Sequence, residues 1–215
     1  MDKQEIIPYQ PQKLHKTNQQ LAIRRGQEYQ ADYVPHLDLA QVTYLASVVQ
    51  TNLHGMRDSL LIQLLFDGCL RASEAISVSP QDIEQSAFGW TVRILGKGKK
   101  RSEVAISASL AARLKAYAYD ENIKPDERLF PISRFRVHQI IRAAMLKANI
   151  TKPDGVGSVH VLRHSGAIER LKRTGNPKAV QDQLRHKSAL MTLRYMKTLS
   201  HQESIRIQQK VDLQW

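Results

Sequence analysis

Residues 90–106 read Trp90-Thr-Val-Arg-Ile-Leu95, Gly96-Lys-Gly-Lys-Lys-Arg101 and Ser102-Glu-Val-Ala-Ile106. The two outer runs are rich in β-branched residues, which suit a sheet, and the glycines between them suit a turn. We therefore predict an antiparallel hairpin with a basic tip. Lys97, at that tip, has the reach to enter a groove and donate a proton, but Lys99, Lys100 and Arg101 are rivals for this role. A solvated basic turn is the alternative interpretation.

Helical patterns surround the hairpin, so the fold class is predicted as α+β, mainly helical. Asp38 and Gln41 form a capping-box pattern, and Leu39, Val42 and Leu45 then recur at helical spacing. Similar patterns predict further helices at about 57–66, 71–76, 109–119, 133–149, 161–174 and 178–184, with another presenting Tyr195. The tail 204–215 fits a strand as well as a helix.

The first 35 residues differ from the rest in composition. They are rich in Gln and basic residues and show little apolar periodicity. We predict a basic N-terminal arm over 1–35 and one domain over 36–215, with a tail from about 201. Within the arm, 13–25 can form a short helix that offers Arg24 and Arg25 to a phosphate backbone, or the arm can be mobile.

The composition favours a polyanionic partner. The 215 residues carry a net charge of +12 and are 42% apolar, enough to bury a core. No apolar run reaches the roughly 18 residues that a membrane-spanning helix needs, and the start of the chain lacks a signal-peptide core. A single cysteine, Cys69, fits a reducing compartment. We expect no membrane partner and a cytoplasmic, nucleoid-associated location.

A possible nucleophile ends the stretch His186-Lys-Ser-Ala-Leu-Met-Thr-Leu-Arg-Tyr195. A phenol has a pKa of about 10, so as a nucleophile it needs a proton acceptor or positive surroundings. His186, nine residues upstream, can bond either a phosphate or the phenol. A tyrosine by itself is more often a packing residue, so Tyr195 gains its meaning from the cations elsewhere.

His160 and Arg163 lie three residues apart, so on a helix they share a face and can reach one phosphate. The alternatives are a core imidazole and a surface ion pair. His160 and His164 also have the spacing of a zinc pair, but the expected carboxylate and cysteines are missing, so we predict no metal.

Arg71 follows an apolar run, so a buried guanidinium there would need compensation. Glu74, three residues on, can orient it in a supporting role, and a plain surface pair is the alternative.

These residues together resemble the tyrosine recombinase (phage integrase) family. The resemblance covers about residues 37–200 and implies an integrase-type catalytic domain, mainly helical, with a small antiparallel sheet carrying the lysine. It also implies attack of Tyr195 on a scissile phosphate, giving a 3′-phosphotyrosyl link without metal or nucleotide cofactor. The motifs are Leu70-Arg71-Ala-Ser-Glu74, Gly96-Lys97-Gly98, His160-Val-Leu-Arg163-His-Ser-Gly-Ala167, Leu184-Arg-His186 and Tyr195.

The same resemblance implies roles for five further residues. Arg71 and Arg163 would hold the non-bridging phosphate oxygens, and His186 would bond the phosphate. Lys97 would protonate the leaving oxygen, and His160 would accept or position the phenolic proton.

The chain departs from the family pattern in three ways. Cys69 and Arg185 stand where the family usually has glycine, and Arg185 can add a phosphate contact or alter its turn. A helical domain of some ninety residues commonly precedes the catalytic one, and residues 1–35 are too few for it. We expect either a naturally short recombinase or a fragment or remnant, with weak DNA affinity for one protomer because fewer phosphates are neutralised.

Contacts to double-stranded DNA are predicted for Arg134 and Arg136, which begin a helix where relatives enter the major groove, and for Lys99 and Arg101. A solvated basic face is the alternative. Relatives exchange C-terminal segments, which suggests dimers and a tetramer on paired sites. The tail residues available for burial are Ile205, Ile207, Val211, Leu213 and Trp215.

The leading hypothesis is a site-specific DNA recombinase that integrates, excises or resolves a mobile element or replicon. A type IB topoisomerase, which relaxes DNA by the same chemistry, is one alternative. A non-catalytic DNA-binding relative is the other.

Overall fold

The structure, a computed structural model, describes residues 33–95 and 101–211. In these two ranges the chain forms nine α-helices and three β-strands, which confirms the predicted α+β, mainly helical class. The helices are α1 (Leu39–Val48), α2 (Gly55–Asp67), α3 (Ala72–Ala75), α4 (Ala108–Asp120), α5 (Arg134–Lys147), α6 (Ser158–Thr174), α7 (Pro177–Leu184), α8 (Leu190–Thr198) and α9 (His201–Gln208). The strands are β1 (Ile83–Ser86), β2 (Gly89–Leu95) and β3 (Arg101–Ala105).

Several predicted features lie outside the described residues. They are most of the N-terminal arm, the hairpin tip with Lys97 and Lys99, and the tail residues Leu213 and Trp215.

Local hydrogen bonds explain where the first and last helices begin. The Asp38 carboxylate accepts from the Gln41 amide at 2.7 Å, and the Gln41 side chain accepts from the Asp38 amide at 3.0 Å. The predicted capping box is therefore present. An equivalent box joins Ser200 and Glu203 at the start of α9. Of the two interpretations left open for the tail, the helix holds over residues 201–208.

The sheet is antiparallel in the order β1-β2-β3. Thr91 faces Ala105 across β2 and β3, so the predicted hairpin is confirmed. Sequence reasoning missed β1, which pairs with β2 through Ile83 and Val92. Only the first residue of β1 is buried, so its sequence lacks the alternation that marks a strand.

The main core is built around α2, whose Leu60, Leu61 and Ile62 have no exposed surface. α6 packs closely on the end of α2. A Cβ added to Gly166 of α6 would lie 1.9 Å from the carbonyl oxygen of Phe66. Only glycine permits this approach, which brings α6 beside the turn that leads to Arg71.

A smaller apolar cluster joins the second half of α6 to α7 and α8. It includes Val34, Cys69, Ala167, Leu184 and Tyr195. The amide of Val34 donates to the Thr198 hydroxyl at 3.0 Å, which ties the beginning of the described chain to α8. The predicted nucleophile is thus also a packing residue.

Candidate active site

Five of the six predicted catalytic residues lie on elements that meet around α6. Arg71 immediately precedes α3, and His160 and Arg163 lie on the first two turns of α6. His186 follows α7, and Tyr195 lies on α8. The sixth residue, Lys97, is outside the described part of the chain.

The carboxylate of Glu74 joins the arginines of the site. Its Oε1 accepts from Nη1 of Arg71 at 2.8 Å, and its Oε2 accepts from the Arg71 amide at 2.8 Å. Oε2 also accepts from Nη2 of Arg185 at 2.7 Å and lies 3.8 Å from Nη1 of Arg163. Glu74 is buried, whereas 46% of the Arg71 side chain is exposed. A fixed carboxylate therefore orients a guanidinium that remains accessible.

Arg163 is buried but is held chiefly by uncharged partners. Its Nη1 donates to the carbonyl of Cys69, and its Nη2 donates to the carbonyl of Leu184 at 2.7 Å. Burial lowers the pKa of Arg163 to about 10, and the neighbouring Arg71 and Arg185 add to this effect. At neutral pH the group still carries a positive charge, which nearby carboxylates neutralise only partly.

Both carbonyls come from helix-ending turns of the same type. After α2, Cys69 has a φ of 49° and the Leu70 amide donates back to Leu65 at 3.1 Å. After α7, Arg185 has a φ of 56° and the His186 amide donates back to Gln181 at 3.1 Å. This is the Schellman pattern, in which glycine usually takes the left-handed position.

The two departures from the family's glycines therefore occupy positions where glycine has a backbone role. Cys69 and Arg185 both adopt the left-handed conformation at a steric cost of order 1–2 kcal/mol each. The turn that contains Arg185 has both Schellman hydrogen bonds, so it accommodates a residue other than glycine.

Tyr195 lies between two imidazoles. Its ring stacks on His186 with centroids 6.2 Å apart, and His164 meets it edge-on at 5.9 Å. Only 5% of Tyr195 is exposed. Burial raises the pKa of its phenol, and the positive charge of Arg163 opposes that rise.

His164 and His186, which lie beside the phenol, and His160, which lies beside His164, are all in the neutral form at pH 7. Burial lowers the pKa of His186 to about 4, with further lowering by Arg163, Arg71 and Arg185. Burial and then Arg163 also lower the pKa of His160. A neutral imidazole can accept a proton or a hydrogen bond, as proton transfer from a phenol requires.

Sequence reasoning gave His164 no role beyond a possible zinc pair with His160. The structure packs it against Tyr195, and burial lowers its pKa to about 4. Its Nδ1 is buried and has no hydrogen-bond partner among the described residues. The i, i+4 spacing of His160 and His164 places both on one face of a helix, and this was the feature of the sequence that could have indicated a role for His164 in the site. Across residues 33–95 and 101–211, no three or more His, Cys, Asp or Glu side chains lie together in a way that could hold a metal ion.

The hairpin that leads to Lys97 is hydrogen-bonded to α7, the helix that ends at the turn containing Arg185. Gln183, on α7, accepts from the Ala105 amide at 3.0 Å and donates to the Ala105 carbonyl at 2.9 Å. Arg170 of α6 also donates to that carbonyl, at 2.9 Å, and pairs with Asp67. The free edge of β3 is thus bonded to α6, which carries Arg163, and to α7, which ends just before Arg185.

The predicted DNA-contact residues Arg101, Arg134 and Arg136 are exposed. Arg134 begins α5, and Arg136 donates to the side chain of Gln139 at 3.2 Å. These cations are therefore available to a partner.

Within residues 33–95 and 101–211, no helix has the length and apolar character needed to cross a bilayer.

The curated sequences that this chain resembles include several tyrosine recombinases. The tyrosine recombinase XerD of Staphylococcus saprophyticus is 29% identical over 175 residues, covering 74% of this chain and 57% of that protein. The tyrosine recombinase XerC of a Methylobacterium species is 35% identical over 149 residues, covering 66% of this chain and 45% of its own length. The chain thus spans about half the length of the curated relatives that it matches.

Solved structures share the fold. The XerH site-specific recombinase bound to its difH substrate aligns with a TM-score of 0.66 at 20% identity, covering 81% of this chain and 52% of that one. The catalytic domain of the bacteriophage HP1 integrase aligns with a TM-score of 0.60 at 24% identity, covering 80% of this chain and 94% of that one.

A family match extends over most of the described residues. Residues 35–202 match the phage integrase family. The chain therefore belongs to the phage integrase family, as a tyrosine recombinase catalytic domain.

Proposed function

We propose that this chain is the catalytic part of a site-specific DNA recombinase that cuts and rejoins DNA through a 3′-phosphotyrosyl intermediate. The observation that carries the proposal is the position of Tyr195 between two neutral imidazoles, within the electrostatic influence of Arg163 and Arg71. A phenol beside proton acceptors and fixed cations suits nucleophilic attack on a phosphodiester.

In the proposed step, the hydroxyl oxygen of Tyr195 attacks phosphorus and the bond from phosphorus to the 5′ oxygen breaks. His160 positions the phenolic proton and accepts it, and Lys97 gives a proton to the leaving oxygen. Arg71 and Arg163 stabilise the negative charge that grows on the non-bridging oxygens. The covalent link retains the phosphoester energy, so attack by another 5′-hydroxyl rejoins the strand without a cofactor.

His186 has a distinct proposed part. Because its ring stacks on Tyr195 and its Nδ1 lies 3.2 Å from the Thr192 hydroxyl, it can donate to the phosphate through its remaining nitrogen. In the neutral form it adds a hydrogen bond and no charge.

Burial of Tyr195 sets a condition on the reaction. With 5% of the residue exposed and its pKa raised, the phenol stays protonated until a phosphate reaches it. We propose that DNA binding moves Tyr195 relative to the apolar cluster in which it packs, so that its hydroxyl becomes accessible only on bound DNA.

DNA contacts and assembly belong to the same proposal. The exposed Arg101, Arg134 and Arg136 support a DNA-facing role, and we propose the same for Lys99. Exposed apolar residues on α8 and beyond, including Leu190, support assembly into dimers and a tetramer on paired sites. Deletion of 201–215 should shift the species formed on DNA, and an unchanged distribution would argue against this assembly.

The direct test is covalent capture on a pool of nicked duplexes with randomised sequence around the nick. The nick lets the short 5′-hydroxyl strand diffuse away, so that cleaved complexes accumulate. Wild type should give an SDS-resistant protein–DNA band whose recovered DNA shares a sequence, and Tyr195→Phe should give none.

Two other outcomes choose between the alternatives. DNA binding without any covalent band would favour a non-catalytic binding protein. A band from every sequence, with relaxation of supercoiled plasmid, would favour topoisomerase-like activity.

A further inference from the structure

Three guanidinium groups surround one buried carboxylate in this site. Arg71 and Arg185 bond the oxygens of Glu74 at 2.8 and 2.7 Å, and Arg163 lies 3.8 Å away. Three positive charges and one negative charge leave a net charge of +2. Such a surplus in a partly buried site favours an anionic ligand.

Arg185 is an unexpected member of this group. Its backbone is in the left-handed conformation, at a cost that glycine would avoid. Only 13% of its side chain is exposed, and its Nη1 donates to the Gln183 carbonyl at 2.8 Å. Its guanidinium is therefore directed into the protein, where it is hydrogen-bonded to Glu74 and to the Gln183 carbonyl.

Arg185 and Arg163 both lie near the same oxygen of Glu74. The guanidinium of Arg71 donates to Oε1 of Glu74, whereas Oε2 accepts from the Arg71 amide and from the guanidinium of Arg185. Without Arg185, the next cation to Oε2 is Arg163, only 3.8 Å away. Arg163 already lies within ion-pair distance of Oε2, and a closer, hydrogen-bonded pair would draw its guanidinium off its two carbonyls and neutralise more of its charge.

We propose that Arg185 is a positioning residue for strand cleavage. By holding Oε2 of Glu74, it keeps the guanidinium of Arg163 on the Cys69 and Leu184 carbonyls, where its charge remains available to the scissile phosphate. This inference rests on the proposed recombinase function and adds a residue that the six predicted catalytic groups do not include.

The effect is expected in the transition state more than in binding. A phosphodiester carries one negative charge, and the pentavalent state of the attack carries two. An arginine whose charge is only partly cancelled by a carboxylate gains most when the second charge develops. Loss of Arg185 should therefore slow cleavage more than it weakens DNA binding.

The experiment compares Arg185→Gln, Arg185→Lys and a control, Arg173→Gln, in single-turnover cleavage of the nicked duplex recovered by covalent capture. Arg173 is also paired with one carboxylate but is exposed at the far end of α6. We expect Arg185→Gln to cleave ~10–100-fold more slowly, somewhat less than the loss of a direct transition-state donor. Its DNA dissociation constant should change less than about threefold, and Arg185→Lys should recover most of the rate.

A second substrate separates electrostatics from packing. In a duplex with a methylphosphonate at the scissile position, the reacting group is neutral before attack and carries one negative charge, rather than two, in the pentavalent state. If Arg185 acts through the charge of Arg163, the deficit of Arg185→Gln should shrink at least about fivefold on this duplex. If Arg185 only supports the fold, the deficit should be equal on both.

Two results would overturn the inference while leaving the proposed function intact. One is cleavage by Arg185→Gln at the wild-type rate, and the other is an equal deficit on both duplexes. A wild-type protein that forms no covalent product would instead contradict the proposed function, and this inference with it.

Discussion

The turn after α2 and the turn after α7 solve the same backbone problem with different side chains. Both end a helix with a residue in the left-handed conformation, and both direct a carbonyl onto Arg163. In the first turn the residue is Cys69, which is fully buried, with its Sγ 3.0 Å from where a Cβ on Gly166 would lie. In the second it is Arg185, whose guanidinium reaches Glu74.

The comparison separates two requirements on the left-handed residue: its backbone must adopt a positive φ, and its side chain must fit its surroundings. The backbone of both turns must present a carbonyl to Arg163, and that requirement is met without glycine. The surroundings of each turn then determine which side chain is suitable. In the first turn the packing of α6 limits the volume of the side chain, whereas in the second turn the side chain pairs its positive charge with Glu74. Volume changes should therefore matter at Cys69, and charge changes at Arg185.

The largest effect is expected at Glu74, which joins the two turns. Glu74→Gln leaves Arg71, Arg163 and Arg185 without their shared negative charge in a buried setting. Breaking a buried ion pair on one side typically costs about 3–5 kcal/mol, so we expect a loss of that size in the free energy of unfolding. Urea denaturation measures it.

Glu84→Gln is the matched control. Glu84 also pairs with an arginine, Arg93, but both side chains are well exposed. Its loss should cost no more than about 1 kcal/mol. Equal losses for the two variants would mean that Glu74 does not hold the turns together.

A smaller effect is expected from added volume in the first turn. Cys69→Leu places a larger side chain against α6 where Gly166 leaves no room. Overpacking of this kind costs about 1–3 kcal/mol, measured again by urea denaturation. Cys69→Ala keeps the turn without added bulk and should lose less. If Cys69→Leu is as stable as wild type, the first turn is not limited by space.

The local parts of this arrangement are the parts that sequence could predict. The capping box of α1 and the β2–β3 hairpin depend on neighbouring residues, and both are confirmed. His160 and Arg163 were expected on one helix face and do lie three residues apart on α6. β1 was missed because a short edge strand with one buried residue is defined by its partner.

The contacts between distant residues could not be predicted. Arg185 and Glu74 are 111 positions apart, and nothing in the sequence around either indicates the other. The resemblance marked Cys69 and Arg185 as departures from glycine, but only the backbone angles explain why glycine is usual there. The burial of Tyr195 likewise depends on a cluster assembled from both ends of the described chain.

A further prediction concerns pH. Burial lowers the pKa of His164 and His186 to about 4, whereas an unfolded histidine titrates near pH 6.5. Between these values the unfolded state binds more protons, so the free energy of unfolding should fall as pH drops from about 6.5 towards 4. Urea midpoints across this range measure the slope, and a flat profile would contradict it.

Charge at the second turn should modify this titration, whereas volume at the first should not. Arg163, Arg71 and Arg185 all lower the pKa of His186. Arg185→Gln should therefore raise that pKa, as followed by NMR of the imidazole, and Cys69→Ala should leave it unchanged. A shift in the cysteine variant alone would reverse the comparison.

The most direct measurement is to identify the residue that becomes linked to DNA. Captured complexes are digested with nuclease and protease, and the nucleotide-bearing peptide is sequenced by mass spectrometry. The account predicts one modified residue, Tyr195, joined to a 3′-phosphate. A nucleotide on any other tyrosine, or a link to a 5′-phosphate, would contradict it.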